Sequence, residues 1–394
     1  MLSIHSFRPN CRGRRPAHIC GTPAASRHSG LLLALAAAAL VTPVAHAGGV
    51  SFATSSGYTF ANFDPALAGT AVGSNANGIS NAGQLVGTLV DANNASTFSN
   101  WVGTPSATQA INTGSGQIAF GINSAGTVVG GNGAGAFYLP LLPGGTYFSP
   151  RPLSAPNGAI NAFGINDQGA IVGQYTFGTA TPGFLVRSAN DQLSITINAP
   201  LITNVVNAQA VNNNGVVVGF YEGTDGQAHG FRADTAGVNA GLSITATPIA
   251  DPMIPSVAGE PGATFVFSQL LGVNDAGMVA GYYGDSTGSQ HGFLYSLLTG
   301  RYSFLDDPAA SFSNGVEVTQ ITGVNNIGEL SGFYTDAGGI AHSFAACPTG
   351  GVCAGFPVAA VPEPATLALM TMGLLAIGLR RTRRACRTDR VAAA

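Results

Sequence analysis

Gly272-Val273-Asn274-Asp275-Ala276-Gly277-Met278-Val279-Ala280-Gly281 is one of six copies of a ten-residue pattern. The pattern is Gly, a β-branched residue, Asn, two variable residues, Gly, a variable residue, an aliphatic, a variable residue and Gly. Copies begin at Gly78, Gly121, Gly164, Ala210, Gly272 and Gly323, so successive starts lie 43, 43, 46, 62 and 51 residues apart. The second position is always Ile or Val, from Ile79 to Val324, and the third is Asn in every copy but the first, which has Ser80.

The pattern reads as a β-hairpin. A short strand ends at the Asn, whose side chain can bond its own backbone two residues on and tolerates turn geometry. The Gly three residues later (Gly83, Gly126, Gly169, Gly215, Gly277, Gly328) suits a position with φ > 0. Alternation then puts an aliphatic, a bare Gly and, in four copies, Tyr175, Tyr221, Tyr283 or Tyr334 on one face of the second strand. A bare Gly there predicts close approach by another sheet. A third strand follows, with His229-Gly230-Phe231, His291-Gly292-Phe293 and His342-Ser343-Phe344 in the last three copies. A fourth strand precedes each motif, as in Tyr58-Thr59-Phe60, Leu193 to Ile197, Leu242 to Thr245 and Arg301 to Leu305.

Four short antiparallel strands in 45 to 60 residues is the size of a propeller blade. The expected fold class is therefore all-β: a β-propeller of about six four-stranded repeats over residues 48–355, with a β-solenoid as the alternative. A closed ring leaves only short strand edges exposed. Composition agrees. Glycine supplies 55 of 394 residues and charged residues only 8%, which excludes a charged disordered chain, a coiled coil and a helix-rich fold.

The two ends lie outside this repeat. Residues 1–47 read as a signal peptide: arginines from Arg8 to Arg27, the apolar run Leu31 to Val41, then a small-x-small cleavage site with Ala45 and Ala47 at its outer positions. Eleven apolar residues form a signal helix too short to span a bilayer. The other end reads Val361-Pro362-Glu363-Pro364, then fifteen mostly apolar residues from Ala365 to Leu379, then six arginines from Arg380 to Arg390. This resembles the PEP-CTERM sorting signal. The resemblance implies a linker over 356–364, a transmembrane helix over 365–379 and a basic cytoplasmic tail over 380–394, held transiently in the inner membrane until an exosortase cleaves near the motif. The arginine cluster is consistent with a cytoplasmic tail. A plain C-terminal anchor that is never cut is the alternative.

Without its ends the chain keeps four arginines, Arg151, Arg187, Arg232 and Arg301, against sixteen carboxylates, a formal charge of −12. Such a body does not suit nucleic acid or an anionic membrane surface. It retains two cysteines, Cys347 and Cys353, an even pair that reads as a disulfide in an oxidising compartment.

The units Gly272 to Phe293 and Gly323 to Phe344 resemble the HAF family of extracellular repeats, exported bacterial proteins. The first two copies depart from it, with Asn100-Trp101-Val102 where the His-Gly-Phe strand belongs. The resemblance carries no activity.

Candidate chemistry is sparse. The three histidines of the body, His229, His291 and His342, occupy equivalent positions and read as structural. No partner for acid–base work can be picked out beside them. Asp225, Asp285 and Asp336 sit in Asp-Gly-type turns. They are weak candidates for calcium, because each turn offers one carboxylate, and no other cofactor or metal site is expected. No phosphate loop, Gly-x-Ser-x-Gly elbow or His-Glu-x-x-His occurs. The expectation is a non-catalytic, exosortase-sorted surface or matrix protein of a Gram-negative bacterium, associated with extracellular polysaccharide through aromatics such as Trp101. The alternative is a propeller enzyme acting on glycans, with Asp306-Asp307 or Glu260 as its irregular acids.

Overall fold

The computed structural model describes residues 50–67, 71–200, 205–254, 262–353 and 355–356. All described residues belong to one compact unit. The signal segment with Ala45 and Ala47, Glu260, the Val361–Pro364 motif, the 365–379 helix and the basic tail lie outside the described residues.

The described residues form 26 strands and no helix. Strands β1 (Ser51–Ser55) and β2 (Tyr58–Phe63) come first. The first repeat gives β3 (Gly73–Ile79), β4 (Leu85–Val90), β5 (Ser96–Thr104) and β6 (Ala107–Ile111). The second gives β7 (Ile118–Ile122), β8 (Val128–Gly131), β9 (Ala136–Leu139) and β10 (Arg151–Pro152). The third gives β11 (Ala159–Ile165), β12 (Ile171–Tyr175), β13 (Gly183–Val186) and β14 (Ile195–Asn198). The fourth gives β15 (Val206–Val211), β16 (Val216–Glu222), β17 (Ala228–Asp234), β18 (Ser243–Thr245) and β19 (Thr247–Pro248). The fifth gives β20 (Phe265–Val273), β21 (Met278–Asp285), β22 (Gln290–Ser296) and β23 (Arg301–Phe304). The last gives β24 (Thr319–Val324), β25 (Leu330–Thr335) and β26 (Ala341–Pro348).

Each repeat is an antiparallel meander whose first strand is innermost. These inner strands touch in sequence, β3 with β7, then β11, β15, β20 and β24, and β24 returns to β3. That closed succession is a β-propeller. The hydrogen-bonded sheets number five rather than six, because a single residue pair, Asn161 with Gly131, joins the second and third repeats into one nine-stranded sheet. The last repeat supplies only three strands of its own. Its fourth is β2, paired along β26 from Tyr58↔Pro348 to Phe63↔Ser343, and β1 adds a fifth. The N-terminus therefore fastens the ring to the C-terminal blade.

The hairpin reading holds in each copy. The six turn glycines have φ between 73° and 84°. Two expectations are corrected. The bare Gly of the second strand is approached from within its own sheet, by the aromatic directly opposite on the third strand, not by another sheet. Ser243–Thr245 is not the fourth strand of its own blade; it lies parallel to β14 on the neighbouring one, and Thr247–Pro248 takes that place.

Inner strands carry a β-bulge one residue before the motif's first position, at Asn77, Phe120, Phe163, Gln209, Leu271 and Thr322. A bulge turns the strand and re-aims side chains at a rim. The next residue is Gly in five copies because neighbouring blades meet there. A Cβ on Gly121 would lie 2.7 Å from the Phe163 carbonyl oxygen, and one on Gly272 would lie 2.8 Å from the Gly323 Cα. The core sits between blades in six buried clusters, each spanned by residues of adjacent repeats.

Candidate functional site

The six motif turns converge on one end of the axis and form two concentric hydrogen-bond rings. In the inner ring each Asn amide donates to the carbonyl of the next. Asn123 Nδ2 donates to Asn166 O (3.1 Å), Asn166 to Asn212 O (3.0 Å), Asn212 to Asn274 O (3.0 Å), Asn274 to Asn325 O (3.1 Å) and Asn325 to Ser80 O (3.3 Å). Each Asn Oδ1 accepts the amide N–H four residues on, closing its own turn. Only Asn offers this pairing of one acceptor with a donor amide at that length. Ser80 has no amide, so the inner ring is open at one step, from Ser80 to Asn123.

The outer ring uses the next residue. The backbone N–H of Ser124 donates to Asp167 Oδ1 (2.8 Å), Asp167 to Asn213 Oδ1 (3.1 Å), Asn213 to Asp275 Oδ1 (2.8 Å), Asp275 to Asn326 Oδ1 (2.8 Å) and Asn326 to Asn81 Oδ1 (2.7 Å). It too is open between Asn81 and Ser124, where Asn81 Nδ2 reaches past to Asp167 Oδ2 (2.7 Å). Burial opposes the charge on Asp167, but the Asn81 and Ser124 hydrogen bonds outweigh it and hold its pKa below the ordinary value.

Beside the inner ring, Glu329 is buried at 1% exposure and accepts from Asn325 Nδ2 (2.9 Å). Burial raises its pKa to about 7 against the opposing Asn325 bond.

The other end of the propeller carries three Asp–His–Asp clasps. His229 Nδ1 lies 2.9 Å from Asp251, and its Nε2 lies 3.1 Å from Asp225. His291 Nδ1 lies 2.9 Å from Asp306, with Asp285 at 3.7 Å from Nε2. His342 Nδ1 lies 2.6 Å from Asp64, with Asp336 at 3.3 Å from Nε2. In each clasp one Asp sits in the turn before the third strand and the other follows the fourth strand. Tyr221, Tyr283 and Tyr334 are the directly paired cross-strand neighbours of the three histidines, at ring distances of 5.9, 5.2 and 5.5 Å.

These pairings were not legible along the chain, since Asp64 and His342 lie 278 residues apart. The hint available was an Asp after the fourth strand in three repeats: Asp64-Pro65, Asp251-Pro252 and Asp306-Asp307. The Asp64 hydrogen bond raises the His342 pKa, against burial. Burial works against the charge on His229, but its bonds to Asp225 and Asp251 prevail and raise its pKa.

The turn carboxylates cap their own hairpins. Asp225 Oδ1 accepts from Gln227 N–H, Asp285 Oδ1 from Thr287 and Ser289, and Asp336 Oδ1 from Gly338 and Ile340. Among the described residues no three His, Cys, Asp or Glu side chains come together in a set able to hold a metal ion. Asp307 is buried at 2% exposure, accepts from Asn62 Nδ2 (3.1 Å) and the Ala309 N–H, and has its pKa raised to about 6 by burial. Trp101 is fully buried against Phe63, with ring centroids 5.6 Å apart, which corrects its expected place on an exposed binding face. Cys347 and Cys353 are joined by a disulfide across six residues.

Among solved structures the chain is similar to virginiamycin B lyase from Staphylococcus aureus, at 11% identity and TM-score 0.37 over 73% of this chain and 88% of that one. It is similar to the β-propeller domain of the Trilobed protease from Pyrococcus furiosus, described as having an open velcro topology, at 11% identity and TM-score 0.35 over 75% and 94%. The Aleuria aurantia lectin matches at 10% identity and TM-score 0.36 over 71% and 95%. Likeness of this size carries no functional argument. Comparison with curated proteins finds no match. Residues 360–384 match the PEP-CTERM protein-sorting motif. The chain thus carries, at its C-terminal end, the signal of an exported protein sorted by an exosortase.

Proposed function

We propose that the protein is a non-catalytic surface or matrix component whose HAF-type propeller is delivered through the inner membrane and associates with extracellular polysaccharide. The observation that carries this reading is the sorting motif over 360–384, placed directly after a closed propeller. The chemistry of the body supports it. Its three histidines, the groups best suited to proton transfer near neutral pH, are each held between two carboxylates that also cap turns or end strands. The buried acids Glu329 and Asp307 are enclosed by the protein.

Two experiments test it. In a host with its exosortase, the native chain is expected to lose its C-terminal segment, seen as a mass decrease. Replacing Pro362, Glu363 and Pro364 by Ala is expected to leave the segment attached. Equal processing of both chains would remove the sorting claim. Second, the purified body is expected to co-sediment with polysaccharide from the same cells without shortening it. Release of reducing ends, abolished by Asp306→Asn, would instead establish the glycan-enzyme alternative.

A further inference from the structure

A cavity of about 140 Å³ lies on the propeller axis. Its wall is the bulge residue of every inner strand: Asn77, Phe120, Phe163, Gln209, Leu271 and Thr322. Gln320 and Phe333, a directly opposed pair on β24 and β25, extend the wall toward the clasp end. Toward the turn end the axis meets the row of Ile and Val that runs from Ile79 to Val324, and then the Asn ring. Access to the cavity is therefore from the clasp end.

The repeat makes the same structural demand of each copy, and the two positions after the bulge answer alike, with Gly or Ala and then Ile or Val. The bulge row itself does not repeat. Two of its polar members serve the scaffold: Asn77 Nδ2 donates to Ala119 O (2.8 Å) and Thr322 Oγ1 to Ala76 O (2.8 Å), each joining two blades. Gln209 has no such duty. It is half-buried at the cavity, and its amide has no hydrogen-bond partner among the described residues. Gln320 gives its Nε2 to Gln290 and keeps its Oε1 free to accept. Next to Gln209 in ring order come Phe163 and Phe120, with ring centroids 5.2 Å apart and planes tilted by 58°. None of the lining residues is ionisable.

We propose that this cavity binds a neutral, hydroxyl-rich ring, the pyranose at the end of a glycan chain. The lining selects that chemistry. The C–H face of a sugar packs on an aromatic ring, and its hydroxyls both donate and accept, as a carboxamide does. An apolar wall with a few placed polar groups is the usual make-up of a small-ligand site. A fatty ligand would bury the Gln209 amide unpaired, at a desolvation cost. An anionic ligand would meet no cation, in a body of formal charge −12. Trp101 is buried, so Phe120 and Phe163 supply the aromatic surface instead. The inference rests on the reading of polysaccharide association and gives it a place: a chain end enters along the axis from the clasp end.

The test uses the full chain in a zwitterionic detergent that has no sugar headgroup. It is titrated by calorimetry with glucose-, galactose-, mannose- and rhamnose-ended oligosaccharides and with a hexuronate-ended one. At least one neutral probe is expected to bind. Its affinity should fall about tenfold in Gln209→Met and in Phe163→Ala, the scale of one lost contact. Gln209→Met breaks no hydrogen bond within the protein and should unfold at the native temperature, which separates recognition from folding. Unchanged affinity in Gln209→Met overturns the cavity as the site and leaves polysaccharide association intact. Binding of no neutral probe, or preference for the hexuronate, also overturns it. Co-sedimentation with polysaccharide from the same cells then separates the two claims: if it persists, only the cavity assignment falls, and if it is lost, both do.

Discussion

The ring of Phe293 lies across the bare Cα of Gly281, its directly opposed neighbour on the next strand. A Cβ at 281 would come within 2.9 Å of Phe293 Cζ and 2.2 Å of the Gln269 carbonyl oxygen. The pair recurs in every blade, as Gly87 with Trp101, Gly130 with Phe137, Gly173 with Phe184, Gly219 with Phe231 and Gly332 with Phe344. Each blade thus packs a buried aromatic ring against its own sheet. Gly281→Ala is expected to destabilise by about 1–3 kcal/mol, the scale of overpacking a core. Gly135→Ala, where a Cβ meets nothing within 4 Å, is the control and should stay within about 0.5 kcal/mol. Urea denaturation of both variants decides it, and equal stabilities would refute the packing argument.

The opening in the inner ring of turns predicts a gain. Ser80→Asn supplies the missing amide toward the Asn123 carbonyl and should stabilise by about 0.5–1.5 kcal/mol, the net worth of one hydrogen bond. Asn274→Ala removes one donor and one acceptor from a closed step and should cost about 1–3 kcal/mol. Thermal unfolding of the two variants should therefore shift in opposite directions.

Stability should fall as pH rises from 5 to 8. His229 and His342 have folded pKa values above the ordinary 6.5, so their contribution is complete below 6.5 and is lost as pH climbs through the folded values. Glu329, raised from 4.5 to about 7, keeps its proton in the native chain after the unfolded chain has lost it, so stability also declines between those values. Glu329→Gln removes the cost of ionising a buried acid and should be more stable than the native protein at pH 8, by on the order of 2–3 kcal/mol. At pH 4 that advantage should vanish. A native Tm that climbs between pH 5 and 8 would contradict the assignment.

Cys347 and Cys353 should carry no free thiol in the exported protein. The unreduced mature chain is expected to weigh about 2 Da less than its reduced form, as for any closed pair in an oxidising compartment. Two maleimide additions without prior reduction would show the loop open.

What could be read along the chain was local. Gly83 and its five equivalents need φ > 0, and that demand is visible in ten residues. The repeat spacing then carries the blade size and, through six copies, the ring. What could not be read depends on residues far apart in sequence. Asp64 reaches His342 only because β2 completes the last blade. Asn100-Trp101-Val102 looked like a degenerate third strand, yet Trp101 stands over Gly87 as Phe293 does over Gly281. Ser243–Thr245 has the composition of a fourth strand, and only packing assigns it to the neighbouring blade.

The first strands made are the last to find their partners. β2 emerges early and waits for β26, so a chain halted anywhere before residue 348 has a blade without its outer edge and a gap between its ends. An unpaired edge of this kind invites aggregation and proteolysis. Truncated copies therefore expose their own incompleteness, and the structure is finished only about a dozen residues before the sorting signal is made.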